Sequence, residues 1–190
     1  QPCSSAASDV YKRQSLDSEN PLAYLALAAG NFFQGELKAS VVPAKRAVQL
    51  NPSHAISHFW LGLTQAHTGL YEEAESALLK AIELSPVDPE LGTFFTGLFF
   101  ANFGQNNYEK ALEAIDNSLR LNPGRGNFMG FRASVLGELN SSEAKEALDR
   151  YLTLRPNLKK RDDYRSIFVP NSTLADPIIE GLIKAGWQPE

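Results

Sequence analysis

The sequence contains little cysteine, little net charge and no long apolar run. Its single cysteine, Cys3, excludes an internal disulfide bond and a zinc site built from cysteines. The formal net charge of −4 over 190 residues is too small to indicate nucleic acid or an anionic membrane as the main partner. No apolar run approaches the ~18 residues that span a membrane. We therefore expect a protein without a membrane segment, located in the cytoplasm.

The sequence also lacks the motifs of catalysis and cofactor binding. No serine lies in a Gly-x-Ser-x-Gly motif. His54 and His58 have the spacing of a zinc-binding pair on a helix, but no glutamate lies between them and no third ligand is evident. Gly124, Gly126 and Gly130 do not have the spacing of a nucleotide-binding loop, and no strand is predicted before them. We predict no catalytic residue, no cofactor and no metal site.

Residues 1–14 differ from the rest of the chain. They have no apolar periodicity and lack the apolar core of about seven or more residues that a signal peptide needs. Residues 4–14 resemble the conceptual translation of a sequencing adapter. We interpret residues 1–14 as a non-native leader and exclude them, with Cys3, from the prediction of the fold.

A repeated unit is the main feature of the sequence, and its clearest copy lies between Asn51 and Pro86. Two amphipathic runs flank a turn at Thr68 and Gly69. Apolar residues recur at helical spacing in both runs, which predicts a pair of helices. The positions are Phe59, Trp60, Leu63 and Ala66 in the first run and Ala74, Ala77, Leu78, Ala81 and Ile82 in the second. Pro52 and Pro86 are 34 residues apart, which sets the period.

This unit resembles a tetratricopeptide (TPR) repeat in its period and in its residues. The residues that carry the resemblance are Trp60, Leu61, Gly62, Gly69, Tyr71, Ala74, Ala81 and Pro86. The resemblance implies an all-α fold, a right-handed α–α superhelix or TPR solenoid. We predict a TPR array over residues 15–156. It comprises a remnant at 15–20 and units at about 21–52, 55–86, 89–123 and 125–156.

Residues 157–190 are predicted to form a linker and a C-terminal capping helix. Asp176 and Pro177 are suited to the start of a helix, and Gly186 is suited to its end. The apolar face of this helix consists of Ile178, Ile179, Leu182 and Ile183. We expect the helix to cover the exposed end or the groove of the last repeat.

A second resemblance extends from residue 15 to residue 190. It rests on the segments 84–89, 108–111, 121–123, 154–156 and 179–186, taken in this order. The segments are similar to the C-terminal region of bacterial multidomain proteins. In those proteins a class III adenylate/guanylate cyclase domain or a winged-helix DNA-binding domain precedes a TPR array. The resemblance assigns no catalytic residue to this chain.

The first helix of each TPR unit lines a concave surface, so the resemblance predicts a groove. We predict that the groove is formed by Leu25, Phe32, Phe59, Leu63, His67, Phe100, Phe103 and Met129. The lysine and asparagine residues that hold a peptide carboxylate in chaperone-binding TPR domains are missing from these positions. Such an apolar groove would accept a protein or peptide partner, or a second copy of the chain. Alternatively, the C-terminal helix or a neighbouring domain covers it.

The expected function is therefore that of a non-catalytic scaffold for protein–protein interaction. The wider resemblance implies the C-terminal regulatory region of a bacterial signalling protein. Two alternatives remain open from the sequence. The chain could be a fragment of a nucleotide cyclase whose catalytic domain lies upstream, or the C-terminal sensor region of a winged-helix transcription regulator.

Overall fold

The computed structural model describes residues 20–190, and this part of the chain contains ten helices and no strand. The prediction of an all-α fold is confirmed. The helices are α1 (Pro21–Phe33), α2 (Leu37–Leu50), α3 (Ala55–His67), α4 (Tyr71–Leu84), α5 (Leu91–Gly104), α6 (Tyr108–Leu121), α7 (Gly126–Glu138), α8 (Ala144–Leu154), α9 (Arg161–Arg165) and α10 (Ala175–Lys184). The leader predicted at residues 1–14, and all of the remnant 15–20 except Asn20, lie outside the described residues.

The first eight helices form four hairpins that stack in chain order. The two helices of each hairpin pack against each other, and the second helix also packs against the first helix of the next hairpin. At the start of the stack, the side chain of Asn20 accepts a hydrogen bond of 3.0 Å from the backbone N–H of Leu22, and Pro21 is the first helical residue. Both features favour the start of a helix at this point.

Each hairpin turn contains one residue with a positive φ angle. These residues are Gly35 (80°), Gly69 (87°), Asn106 (60°) and Asn140 (50°), and Gly69 lies in the turn predicted at Thr68 and Gly69. Glycine, and to a lesser extent asparagine, adopts this left-handed conformation more easily than other residues. The turns therefore follow from local sequence.

Close packing within the second hairpin, and between it and the third, depends on glycines that face Leu78 of α4. A Cβ atom added at Gly62 of α3 would lie 2.5 Å from Leu78 Cγ, and one added at Gly97 of α5 would lie 2.6 Å from Leu78 Cδ2. Leu78 is fully buried between the two helices. The missing side chains thus allow α3 and α5 to approach the same leucine.

The last helix, α10, packs against α7 rather than continuing the hairpin pattern. Ile178, Ile179 and Leu182 of α10 are buried. The hydroxyl of Ser134 in α7 donates a hydrogen bond of 2.8 Å to the backbone carbonyl of Ile178. This helix covers the C-terminal end of the stack, as the sequence predicts.

Candidate functional site

The first helices of the hairpins bring aromatic rings together on the face that they share, which we call the concave face after its predicted shape. The ring centroids of Phe32 in α1 and His67 in α3 are 5.1 Å apart. Those of His67 and Phe100 in α5 are 4.9 Å apart, and those of Phe100 and Phe131 in α7 are 5.1 Å apart. A continuous row of rings therefore crosses all four hairpins.

Residues 166–174, which we call the strap, cross this row of rings. At one end, the ring centroid of Phe168 lies 5.8 Å from that of Phe131 and 6.4 Å from that of Phe100. At the other end, the Asn171 side chain donates a hydrogen bond of 3.1 Å to the carbonyl of Gly35 in the α1–α2 turn. The strap, rather than α10, thus covers part of the concave face.

His67 lies where the strap meets α3. Its Nδ1 atom is 2.8 Å from the Ser172 hydroxyl, and its backbone carbonyl accepts a hydrogen bond of 3.2 Å from the Thr173 N–H. The side chain is buried between the rings of Phe32 and Phe100. Burial lowers the pKa of His67 from 6.5 to about 4, because the charged imidazolium would lose its hydration. His67 is therefore neutral at pH 7.

A pocket of about 310 Å³ remains open beside the strap. Its lining is mostly aromatic and aliphatic and comes from α1, α3, α5, α7 and the strap. The lining residues are Phe32, Phe33, Phe59, Leu63, His67, Thr93, Thr96, Gly97, Phe100, Arg125, Asn127, Phe128, Phe131, Ile167, Phe168 and Val169. Among these lining residues, Arg125 carries the only permanent charge. Its guanidinium Nη2 lies 3.8 Å from the Glu90 carboxylate, and its Cζ lies 5.7 Å from the centroid of the Phe128 ring. Such a surface can hold apolar side chains.

Five of the eight residues predicted for the groove line this pocket, namely Phe32, Phe59, Leu63, His67 and Phe100. The other three lie elsewhere. Leu25 is buried in α1. Phe103 packs with its ring centroid 5.3 Å from that of Tyr108. Met129 lines a separate pocket with Leu119 and Arg132, because it is one position along α7 from Phe128 and so points about 100° away.

Phe131 and the strap residues Ile167, Phe168 and Val169 line the pocket but are not among the residues that the sequence predicts for the groove. The three apolar residues of the strap follow a charged stretch and precede Pro170. This position is the one feature of the sequence that sets them apart. Their place on the concave face depends on contacts with residues far away in the sequence.

The histidine pair considered as a metal site is bonded within the protein instead. His54 Nδ1 lies 2.9 Å from the Ser57 hydroxyl, and His58 Nε2 lies 2.9 Å from the Pro52 carbonyl oxygen. Within residues 20–190, no group of three or more His, Cys, Asp or Glu side chains is arranged to hold a metal ion. In the same part of the chain, no helix has the length and apolarity needed to cross a membrane.

Comparison with known proteins supports the TPR assignment. Residues 43–89 match the tetratricopeptide repeat family model. No curated protein matches the sequence of the chain. Among solved structures, residues 41 to the end of MamA from Desulfovibrio magneticus RS-1 are similar, with a TM-score of 0.64 and 17% identity over 74% of this chain and 78% of that chain.

Two further structures cover more of this chain. YrrB, described as a TPR protein with an unusual peptide-binding site, has a TM-score of 0.62 and 18% identity over 92% of this chain and 89% of its own. PilF from Pseudomonas aeruginosa has a TM-score of 0.61 and 19% identity over 90% of this chain and 78% of its own. These similarities confirm the predicted superhelical fold of TPR type.

Proposed function

We propose that this chain is a non-catalytic protein-interaction module that binds apolar side chains of a partner in the pocket of its concave face. The observation that carries the proposal is the pocket of about 310 Å³ between the row of rings and the strap. Large apolar side chains that enter such a pocket contribute about 1.5–3 kcal/mol each. The TPR fold, which serves as an interaction scaffold, supports this role.

The size of the pocket favours a few side chains over a whole helix. An α-helix with its side chains is roughly 10–12 Å across, and the strap already occupies part of the concave face. We therefore expect a partner segment that inserts one or two aromatic or aliphatic side chains. This differs from the apolar helix that an uncovered groove would accept.

The rim of the pocket suggests which groups flank the inserted side chain. Arg125 and Asn127 lie at the α7 side, and Thr93 lies at the start of α5. The Arg125 side chain is 52% exposed and so remains available to a carboxylate. We expect an acidic or amide group next to the apolar anchor of the partner. The similar fold of YrrB, whose description includes a peptide-binding site, is consistent with a peptide ligand.

Selection of peptides from a random library, followed by affinity measurement, tests this function. Phe33 lines the pocket but is 67% exposed, so Phe33→Asp places a charge at the pocket with little effect on the core. The best selected peptide should bind this variant at least about tenfold more weakly, since a tenfold change corresponds to about 1.4 kcal/mol. Val87→Asp, at a residue that is 90% exposed and outside the pocket lining, is the matched control. Equal affinity for the Phe33→Asp variant and the wild type would contradict the proposal.

At a finer level, we infer a cytoplasmic regulatory region of a bacterial signalling protein. The support is the order of the sequence segments shared with the C-terminal regions of bacterial cyclase and winged-helix proteins. The parent could thus carry a nucleotide cyclase domain or a winged-helix domain upstream. The gene sequence upstream of residue 15 tests these alternatives. A cyclase or winged-helix domain there would support the inference, and an unrelated domain would overturn it.

A further inference from the structure

The strap donates hydrogen bonds to backbone carbonyls at the C-terminal ends of α1 and α3. The Thr173 N–H and hydroxyl both donate to the carbonyl of His67, the last residue of α3, at 3.2 and 3.3 Å. The Asn171 side chain donates to Gly35, just after α1. The last carbonyls of a helix have no partner within the helix and carry partial negative charge. The strap therefore supplies donors to acceptors that the fold leaves free.

The apolar residues of the strap also pack closely against the concave face. Phe168 is only 9% exposed and lies against Phe100 and Phe131. Pro170 approaches the backbone of Gly35 so closely that a Cβ atom added at Gly35 would lie 2.7 Å from Pro170 Cβ. The strap thus combines an aromatic anchor with a proline and three polar residues that meet defined acceptors.

The middle of the strap is exposed, and the helices on either side have contacts of their own. Pro170, Asn171 and Thr173 are exposed, whereas Leu174 at the start of α10 is fully buried. The helix that follows, α10, is held separately by its own apolar contacts with α7 and by the bond between Ser134 and Ile178. Before the strap, Tyr164 of α9 is buried, with its ring centroid 6.1 Å from that of Tyr151 in α8. The strap is thus a loop between two helices that are each anchored to the last hairpin.

We propose that the strap is an intramolecular ligand, and that its seat on the concave face binds extended partner segments of the same chemistry. Such a segment has an aromatic residue followed, two positions later, by the sequence Pro-Asn-Ser-Thr. The strap of the chain competes with the partner for the seat. This inference rests on the proposed function of the concave face, but it concerns the seat under the strap, which shares His67, Phe100 and Phe131 with the pocket beside it.

The test uses the full chain and a fluorescent peptide with the sequence of residues 165–175. In the wild type, the tethered strap has an effective concentration on the order of millimolar, so the peptide competes poorly. The variant Asn171→Gly/Ser172→Ala/Thr173→Ala removes the side-chain hydrogen bonds of the strap, and glycine keeps the positive φ of 64° at position 171. We expect the peptide to bind this variant at least about tenfold more tightly than the wild type, because each lost bond contributes about two- to tenfold.

Two controls make the result specific. The variant Ser142→Ala/Asn157→Ala changes two exposed polar residues outside the strap and should bind the peptide as the wild type does. A peptide in which the position of Phe168 is alanine should lose most of its affinity for the triple variant. Equal affinity of the original peptide for the wild type and the triple variant would overturn the proposal. If the triple variant unfolds, Ser172→Ala alone should still raise the affinity about two- to tenfold.

Two further measurements separate this inference from its alternatives. Light scattering should show a monomer, since a dimer with exchanged straps would overturn competition within one chain. Phe33→Asp in the background of the triple variant should leave the affinity for the strap peptide unchanged. The strap seat would be refuted, and the pocket function kept, if a library peptide binds less tightly to Phe33→Asp while the strap peptide binds neither the wild type nor the triple variant. The pocket function would be refuted, and the strap seat kept, if the strap peptide binds the triple variant while the affinity of the library peptide does not change in Phe33→Asp.

Discussion

The two ends of the helical stack differ in how their apolar surfaces are covered. At the C-terminal end, Ile178 and Ile179 of α10 are fully buried. At the other end of the described residues, Leu22 and Leu27 of α1 and Val42 of α2 are 60%, 53% and 72% exposed. The continuous core extends from Ala55 to Trp187 and does not include the buried residues of α1 and α2.

This difference shows how strongly each hairpin depends on its neighbours. A solenoid repeat gains its stability from its own contacts and from the interfaces on both sides. The α1–α2 hairpin has one such interface within the described residues, with α3. The α7–α8 hairpin has α6 on one side and α10 on the other. We therefore expect α1 and α2 to open locally at a lower free energy than α7 and α10.

The largest effect is expected from Gly137→Ala, which acts at the covered end. A Cβ atom at Gly137 would lie 2.0 Å from the Gly181 carbonyl oxygen and 2.7 Å from the Ala185 backbone nitrogen. Because both neighbours are backbone atoms of the α10 region, the helix must move. We expect a loss of about 3 kcal/mol or more in the free energy of unfolding. Urea unfolding checks this value, and wild-type stability in the variant would show that α10 is not closely packed on α7.

The next effect is a pH dependence that arises at His67 on the concave face. The native pKa of about 4 lies below the value of 6.5 for an exposed histidine, so the unfolded state takes up a proton at a higher pH than the native state. The stability contribution is fully present above pH 6.5. It is lost as the pH falls from about 6.5 to about 4, by up to about 3 kcal/mol.

Urea unfolding between pH 7.5 and pH 4 measures this loss. His67→Gln should remove the part of the pH dependence that His67 causes. His58→Gln, which changes a histidine that is only partly buried, should retain it. An unchanged pH profile in the His67→Gln variant would mean that His67 is not buried as described.

A smaller effect of opposite sign is expected at the less covered end. Gly30 is an exposed residue inside α1, and a Cβ atom added there would meet no other atom within 4 Å. Gly30→Ala should therefore stabilise α1 by up to about 1 kcal/mol through helix propensity alone. Amide hydrogen exchange in α1 should slow accordingly. A destabilised Gly30→Ala variant would indicate a close neighbour on this face.

The smallest effect is expected for Tyr164→Phe beneath the C-terminal residues. The Tyr164 hydroxyl is buried near that of Tyr151, but neither hydroxyl makes a hydrogen bond of normal geometry; the Tyr164 ring lies 6.0 Å from that of Trp187. A buried hydroxyl without a partner costs free energy, so its removal should be neutral or should stabilise the protein by about 1 kcal/mol. Thermal unfolding of the variant measures the change. A clear loss of stability would reveal a bond to this hydroxyl.

Local sequence was sufficient to predict the hairpins but not the covering of the concave face. The 34-residue spacing of Pro52 and Pro86 predicted paired helices, and Gly69 and Asn106 lie in turns that need a left-handed residue. Phe59 and Phe100 were assigned to the groove because the first helices of TPR units face it. The strap has no periodic pattern, and its bond between Ser172 and His67 joins residues 105 positions apart. Only tertiary packing determines such a contact.

The same limit explains why Met129, the residue predicted for the groove on α7, lies outside the pocket lining. The sequences of α5 and α7 both contain apolar or small residues around most of the helix surface, and α10 packs on α7 in addition to the neighbouring hairpin. Periodicity therefore could not distinguish Phe128, which lines the pocket, from Met129, which does not.

The most direct test is amide hydrogen exchange at Thr173, whose N–H donates to the carbonyl of His67. If the strap covers the concave face, this amide should exchange far more slowly than in a free peptide of the same sequence, and its protection should fall in the Asn171→Gly/Ser172→Ala/Thr173→Ala variant. Exchange of Thr173 at the free-peptide rate in the wild type, while α5 and α7 remain protected, would contradict the account.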